Sequence, residues 1–279
     1  MKRISKRRAN RYSTQKLVRI ALRFWESDIT WDAITTMQMR GSPKTLALAQ
    51  ALATSKSWRK RCLGHYVASQ LLKRTPSGEQ SCIEYAVNET QALLLVGLHD
   101  HHEEVVRAAV SGFGHRPHPD ALPQLVRLSA HSNSKLRWSV AIALGRYPDT
   151  TSISALMVLA RDADNTVRDW ATFALGSIHK IDSQEIRDLF WTNLHDQDTD
   201  VRGEALVGLA ERGDSRVGGY LMEHLDGNCR VYELEAAEKM ADPRLAPTLL
   251  ELASVAVDST TDHYWRGRLS AAIAACSSA

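Results

Sequence analysis

An arginine-centred motif recurs four times between residues 100 and 210, and this repetition constrains the fold more than any other feature. An aliphatic residue precedes each arginine, and an alanine-rich apolar run follows it. The motif arginines are Arg107, Arg137, Arg168 and Arg202, separated by 30, 31 and 34 residues. A nearly constant period of this length is typical of solenoids, in which each repeat is one supersecondary unit. Such a fold presents mainly a surface, so the repetition favours binding over catalysis.

Two helices are predicted in each repeat. The motif helix comes first, a short turn with Asp, Pro or Gly follows, and a second amphipathic helix ends the unit, as in residues 120–128, 153–159 and 186–191. Polar links such as residues 161–165 and 196–200 precede the next motif and offer Asp and Asn side chains that cap helices. Strand signals are nearly absent. The pattern therefore predicts an all-α fold of stacked antiparallel helix pairs.

Two stretches of the chain carry a family resemblance. Residues 164–176 run Asp-Asn-Thr-Val-Arg-Asp-Trp-Ala-Thr-Phe-Ala-Leu-Gly, and residues 242–250 run Asp-Pro-Arg-Leu-Ala-Pro-Thr-Leu-Leu. Together they resemble the short HEAT-like repeats of phycobilisome-lyase type, clearly over residues 99–253 and faintly over residues 58–98. The resemblance implies a right-handed α-solenoid whose second helices line the concave face. We expect the motif arginines to pair with carboxylates or helix-end carbonyls between neighbouring repeats, rather than to form an anion track.

Charge divides the chain into two parts. Residues 1–75 hold 17 Lys and Arg against three acidic residues, a net charge of +14, and the remainder has a net charge of −11. Such asymmetry indicates that the two parts face different partners or each other. Four segments are predicted: 1–25, a basic N-terminal arm and helix; 26–98, irregular helices and degenerate repeats; 99–255, HEAT-like repeats; and 256–279, a C-terminal capping helix.

The N-terminal segment combines a basic arm with an amphipathic helix. Residues 1–12 have too little apolar content to pack, which predicts a flexible arm. From Ser13 the apolar residues recur at helical spacing, and basic residues occupy the other face. The apolar residues are Leu17, Ile20, Ala21 and Phe24, and the basic ones are Lys16, Arg19 and Arg23.

Composition also bears on the compartment. No segment approaches the roughly 18 uncharged apolar residues of a membrane helix, and no secretory apolar region follows the basic start. The four cysteines are scattered without a Cys-x-x-Cys pair, so we predict neither disulfides nor a zinc site. A reducing, cytoplasmic setting is the expectation.

No metal site, cofactor or catalytic residue is predicted. Six histidines cluster between residues 99 and 131, but the stretch from His99 to Glu104 falls on a link and the first turn of a helix rather than on one helical face. Deoxyhypusine hydroxylases, which this chain resembles only in its repeats, carry His-Glu directly after the repeat arginine to hold iron. The equivalent pairs here are Ala108-Ala109, Trp138-Ser139, Asp169-Trp170 and Gly203-Glu204. Only Glu204 keeps one member of that motif, so this chemistry is excluded.

The second helices carry the predicted binding surface. Their alignment places Leu122, Ile153, Ile186, Val217 and Ala246 at one buried position. Five residues further along lie Arg127, Val158, Trp191, Met222 and Glu251, which we call the second-helix column. Val158, Trp191 and Met222 have the composition of a protein-interface core, although they also suit packing between repeats. Gln124, Arg161, Arg187 and Asp188 form the predicted polar rim.

These features predict a non-catalytic scaffold that grips a protein partner in its concave groove. The acidic excess after residue 75 suits a basic partner, because complementary charge raises association rate and selectivity. One version is an immunity- or antitoxin-like inhibitor of a basic toxin domain, and an adaptor or assembly factor fits the same residues.

The alternative is nucleic-acid binding through the basic N-terminal region. Its predicted contacts are Lys2, Arg3, Lys6, Arg7, Arg8, Arg11, Arg59, Lys60 and Arg61, enough to neutralise several phosphates. An enzymatic extension follows from alkylpurine DNA glycosylases, a HEAT-like family that uses tryptophans with an Asp and an Arg. Trp138, Arg168, Asp169 and Trp170 imitate that set. The acidic balance of the repeats opposes a phosphate track there.

Overall fold

Helix pairs dominate the computed structural model, which describes residues 10–75, 82–255 and 263–278. Within these ranges the chain forms 16 α-helices and one two-stranded sheet. This content confirms the predicted all-α fold class. The chain divides into two structural units, Met1–Ser152 and Ile153–Ala279. The predicted four-segment division stays a prediction.

The first unit begins with helices that precede the recognisable repeats. Its elements are α1 (Thr14–Arg23), α2 (Asp28–Gln38), α3 (Pro43–Ala53), α4 (Trp58–Ser69), β1 (Leu72–Arg74), β2 (Cys82–Glu84), α5 (Val87–Gly97), α6 (Glu103–Phe113), a 3₁₀ turn (Pro119–Ala121), α7 (Leu122–Leu128) and α8 (Ser134–Leu144). The two strands pair antiparallel, with Leu72 opposite Glu84. This hairpin departs from the purely helical expectation for residues 26–98.

Helix α1 confirms the amphipathic pattern read from the sequence. The Ser13 side chain caps it by accepting a hydrogen bond from the Lys16 amide at 3.3 Å. Leu17 and Ala21 are fully buried in the core of this unit. Phe24 lies beyond the helix end and is 37% exposed, so it does not belong to the buried face as the spacing indicated. Residues 1–9, most of the predicted flexible arm, lie outside the described residues.

The second unit consists of helix pairs and short turns. The boundary falls within α9 (Thr150–Leu159). After it come α10 (Asn165–Phe173), a π-helical turn (Ala174–Ile178), α11 (Gln184–Asn193), α12 (Thr199–Glu211), α13 (Arg216–His224), α14 (Val231–Met240), a 3₁₀ turn (Pro243–Leu245), α15 (Ala246–Val255) and α16 (His263–Ser277). Asp164 and Asp198 cap α10 and α12, as the polar links predicted.

The motif arginines mostly hold the links between helices, as expected. Arg168 donates to both carboxylate oxygens of Asp196 at 2.7 and 2.8 Å and to the Asp162 carbonyl at 2.8 Å. Arg137 and Arg202 likewise donate to carbonyls of the links that precede them. Arg107 differs, because it pairs with Glu104 on its own helix at 2.6 Å.

A glycine pair lets α12 approach the end of α10 closely. A Cβ on Gly176 would lie 3.2 Å from the Gly208 Cα, and a Cβ on Gly208 would lie 2.8 Å from the Phe190 ring. The chain leaves α10 through the π-helical turn, and the Arg212 guanidinium donates to the Leu175 and Gly176 carbonyls of this turn.

The predicted buried position of the second helices is correct in three of five repeats. Ile153, Ile186 and Val217 are buried. Leu122 and Ala246 are only half-buried, and their neighbours Ala121 and Leu245 take the buried place. Both of these repeats open their second helix with a 3₁₀ turn, which shifts the inward-facing residue by one position.

Candidate functional site

The second-helix column is largely exposed. In the second unit, Val158 is 68% and Met222 is 55% exposed, Glu251 is exposed, and Trp191 is half-buried. In the first unit, Arg127 is exposed and donates a hydrogen bond to the neighbouring Gln124. Val158 and Met222 therefore do not pack between repeats, and their exposure leaves apolar surface that solubility does not require.

Trp191 occupies a fixed position between α11 and α13. Its indole Nε1 donates to Asp214 Oδ2 at 3.4 Å, and its ring packs edge-to-face on Tyr220 with centroids 6.4 Å apart. The Arg216 guanidinium lies 4.6 Å from the indole centroid, which is a cation–π geometry. These three contacts hold the ring in one orientation on a partly exposed surface.

Asp214 is the buried centre of this arrangement. Arg216 donates to its two oxygens at 2.9 and 2.7 Å, and the Arg216 amide donates to Oδ1 at 3.1 Å. Hydrogen bonds from the Arg216 side chain lower the pKa of Asp214 to about 2. The carboxylate is thus ionised throughout the physiological pH range, and the contacts around Trp191 do not depend on pH there.

The residues of the predicted polar rim form hydrogen bonds within the chain. Arg187 donates to both oxygens of Asp182 and to the Arg212 carbonyl at 2.7 Å. Asp188 accepts a hydrogen bond from Gln184, and Arg161 donates to the Met157 carbonyl. These contacts order the surface around Trp191, whereas a rim role in partner binding stays a prediction.

A cavity of about 310 Å³ lies beside Glu251, the last residue of the second-helix column. Its lining residues are Leu225, Asp226, Gly227, Thr248, Glu251 and Leu252. Two carboxylates and two leucines suit the aliphatic stem and charged head of a lysine or arginine. Glu251 belongs to the predicted second-helix column, whereas the cavity was not predicted and depends on residues of the loop after α13.

Three residues that contact Trp191 are not among the predicted site residues: Asp214, Arg216 and Tyr220. A signal was present, because Asp-x-Arg occurs at residues 214–216 and again at residues 242–244. Arg244 donates to the Asp242 carboxylate in the same way, at 2.6 to 3.0 Å. The motif marks the start of a second helix, and the structure adds the tryptophan that stacks against its arginine in one case.

A second cluster lies on the first helices of the second unit. Burial raises the pKa of Asp169 to about 6, and burial together with the nearby Asp169 raises the pKa of Glu204 to about 7. Arg168 is committed to Asp196 and to link carbonyls, so it is not free for the catalytic set imitated by the glycosylase extension. Among the residues the structure describes, no group of three or more His, Cys, Asp or Glu is arranged to hold a metal.

The predicted nucleic-acid contacts divide by exposure. Arg11, Arg59 and Lys60 are exposed. Arg61 is buried and forms a bidentate ion pair with Asp100 at 2.7 and 2.9 Å, so its assignment as a phosphate contact is wrong. It also donates to the Ser55 carbonyl, and its role therefore matches that of Arg168. The remaining residues, Lys2, Arg3, Lys6, Arg7 and Arg8, lie outside the described residues.

Comparisons with known proteins agree with this architecture. The family of HEAT repeats matches residues 91–176. Protein YibA of Escherichia coli K12 is 30% identical over 221 residues, which cover 76% of this chain and 75% of YibA, and YibA of Escherichia coli O157:H7 gives the same values.

Solved structures extend the likeness at the level of the fold. A crystal structure of Escherichia coli YibA matches with a TM-score of 0.70 at 23% identity, covering 96% of this chain and 94% of that one. An engineered protein matches with a TM-score of 0.51 at 17% identity, over 94% of this chain and 78% of its own. None of the described helices has the length and apolar content to cross a membrane.

Proposed function

Because the chain belongs to the family of HEAT-repeat proteins that includes YibA of Escherichia coli, we propose that it is a non-catalytic scaffold that binds a basic protein partner. The contact surface of this proposal is the exposed face of α9, α11, α13 and α15. The observation that carries it is the fixed orientation of Trp191, together with the exposed Met222 on α13, the helix that supplies Arg216 and Tyr220.

A tryptophan held in one orientation is well suited to binding. Ordering a side chain at an interface costs about 0.5–1.5 kcal/mol. The Trp191 side chain is already ordered before a partner binds, because it contacts Asp214, Arg216 and Tyr220. Tryptophan is among the residues enriched at binding hot spots, and methionine adapts to irregular partner surfaces. The two residues together therefore provide one rigid and one adaptable contact.

Charge supports a basic partner. The chain after residue 75 has a net charge of −11, and the cavity beside Glu251 also contains Asp226. Complementary charge of this kind accelerates association and disfavours acidic competitors. In its finer form the proposal is an immunity- or antitoxin-like inhibitor that covers a basic toxin domain such as a nuclease. An adaptor would use the same surface without blocking an activity.

The test compares two double variants in affinity purification from native extract, with and without nuclease treatment. Trp191→Ala with Met222→Ala removes the proposed contacts. Trp31→Ala with Ile83→Ala is the matched control, because it removes an exposed tryptophan and an exposed aliphatic residue from the first unit. We expect the first variant to lose a stoichiometric, nuclease-resistant basic partner and the control to retain it.

Quantitative binding to the identified partner then measures the effect. Truncated hot-spot residues cost about 2 kcal/mol each, which corresponds to roughly 30-fold in Kd. Equal affinity of the two double variants would contradict the proposal. Circular dichroism verifies that both variants fold. Loss of the partner's own activity on binding distinguishes an inhibitor from an adaptor.

A further inference from the structure

We infer that the exposed basic face of α1, continued by the start of α4, binds the phosphate backbone of nucleic acid. Lys16, Arg19 and Arg23 form this face, and Arg59 continues it; we call the four residues the cationic row. The site belongs to the first unit and is independent of the proposed protein-binding surface.

Helix α1 is built to expose cations on one side. It contains no acidic residue, and its three basic residues recur at spacings of three and four, which places them on one face. The opposite face, with Leu17 and Ala21, is fully buried in the unit's core.

An aromatic contact connects α1 to α4. The Trp25 and Trp58 rings meet edge-to-face with centroids 5.7 Å apart. The Arg59 guanidinium lies 5.3 Å from the Trp58 centroid, and the Arg23 guanidinium lies 5.5 Å from the Phe24 ring. Trp25 follows the end of α1 by two residues, so this ring contact places Arg59 near the C-terminal end of α1, and the aromatic rings restrict where the two guanidinium groups point.

The cationic row lacks the ion pairs that other basic residues in the chain make. Arg61, Arg107 and Arg168 each bind a carboxylate within 2.7 Å. None of the four residues of the row has an ion pair with a carboxylate among the residues the structure describes. Unneutralised cations concentrated on one surface attract a polyanion.

The shape and surroundings of the row favour nucleic acid over other polyanions. Lys16 to Arg23 spans about 10 Å of helix axis, the length over which a duplex strand presents about three phosphates. A membrane surface is disfavoured, because Leu17 and Ala21 of α1 are buried in the unit's core and Phe24, at 37% exposure, is the only large apolar side chain of the predicted α1 pattern that is classed as exposed. The sequence continues the same charge, with five Lys and Arg among residues 1–9.

The test is a fluorescence-anisotropy titration of a labelled 24-base-pair duplex with the full chain at 50 to 200 mM KCl. The slope of log Kobs against log salt is negative, and each lost phosphate contact makes it less negative by about 0.9. We therefore expect Lys16→Gln/Arg19→Gln/Arg23→Gln to make the slope less negative by about 2.7 and to weaken binding at least tenfold at 50 mM KCl. A second duplex of unrelated sequence should give the same result.

Two controls make the outcome decisive. Lys135→Gln/Arg146→Gln/Arg266→Gln removes three exposed cations elsewhere, and Trp191→Ala/Met222→Ala removes the proposed protein contacts. Both should bind the duplex as the unaltered protein does. The inference is overturned if the α1 variant binds equally well, if the charge control loses as much affinity, or if phosphatidylserine vesicles bind while the duplex does not.

Discussion

Some arginines of this protein are buried and stabilise the fold, whereas others lie exposed on its surface. Arg212 is the clearest example of the buried kind. Its side chain is almost completely buried and donates to the carbonyls of five residues, among them Leu175 and Ile181 at 2.7 Å. Burial lowers the pKa of Arg212. The guanidinium stays charged, because the ordinary arginine pKa lies far above neutrality. It therefore ties the π-helical turn and the segment after it to the end of α12.

Substitution of Arg212 tests this role. Arg212→Met keeps the aliphatic stem but leaves several buried carbonyls without donors, and each such loss costs about 1–3 kcal/mol. We expect the free energy of unfolding of the second unit to fall by about 3 kcal/mol or more in urea denaturation. Arg146→Met, at an exposed arginine of the first unit, should change it little. Similar stability of the two variants would contradict the role.

Glu204 gives stability a pH dependence at the residue scale. Its pKa is raised from the ordinary 4.5 to about 7, so the folded protein binds a proton that the unfolded chain releases. The contribution of this proton to the free energy of unfolding is complete below about pH 4.5 and is lost as pH rises through 7. We expect Glu204→Gln, which keeps the neutral form, to be more stable than the unaltered protein at pH 8, by on the order of 1 kcal/mol.

Chemical denaturation at pH 4.5 and pH 8 checks this expectation. The difference between the variant and the unaltered protein should grow with pH. Glu223→Gln, at an exposed glutamate on α13, is the control and should show a constant difference. A constant difference for Glu204→Gln as well would show that its carboxyl group titrates normally in the folded protein.

At the scale of elements, glycines set how closely helices approach. A Cβ on Gly203 would lie 2.1 Å from the Tyr232 ring, which packs across α12 from α14. We expect Gly203→Ala to destabilise the second unit by about 1–3 kcal/mol, as overpacked cores do. Thermal unfolding followed by circular dichroism measures the change.

Gly219 is the matched control for this prediction. It also lies within a helix, but a Cβ there would meet no atom within 4 Å. Gly219→Ala should therefore be neutral or stabilise the protein by up to about 1 kcal/mol through helix propensity. Destabilisation of the same size in both variants would indicate a general intolerance of the helices rather than the Tyr232 contact.

Periodic elements of the fold were predictable from the sequence. The motif arginines, the capping Asp164 and Asp198 and the amphipathic α1 all follow from local patterns, because their partners lie within a few residues or recur at the repeat period. Helical spacing placed Val158 and Met222 on one face but left open whether they pack between repeats, and the structure shows them exposed.

Contacts between distant or irregular segments were not predictable in the same way. The sequence predicts Arg61 as a phosphate contact because it lies in a basic cluster, and its true partner Asp100 is missed because it lies 39 residues away in a degenerate repeat. The β1–β2 hairpin breaks the repeat pattern where no local strand signal is present. The setting of Trp191 depends on Asp214 and Arg216 from the next repeat, which spacing alone does not bring together.

At the scale of the whole molecule, helix α16 shields apolar surface from solvent. Leu269, Ala272 and Cys276 are buried on it, and the Trp265 indole donates to the Cys229 carbonyl at 2.9 Å. We expect deletion of residues 263–279 to expose the apolar face of α14 and to cause aggregation, because terminal repeats shield the core of repeat proteins. Size-exclusion chromatography with light scattering would detect it. Arg266→Gln, an exposed change on the same helix, should leave the protein monodisperse.

The ion pairs Arg61–Asp100 and Arg168–Asp196 have the same arrangement. In each, an arginine on a helix binds an aspartate in a link further along the chain. Asp100 and Asp196 each also accept a hydrogen bond from the amide two residues ahead. A duplicated repeat carries both halves of this connection, so gene duplication lengthens such a chain without inventing a new interface. Neighbouring copies of such a repeat would attach to each other through the same pair of side chains.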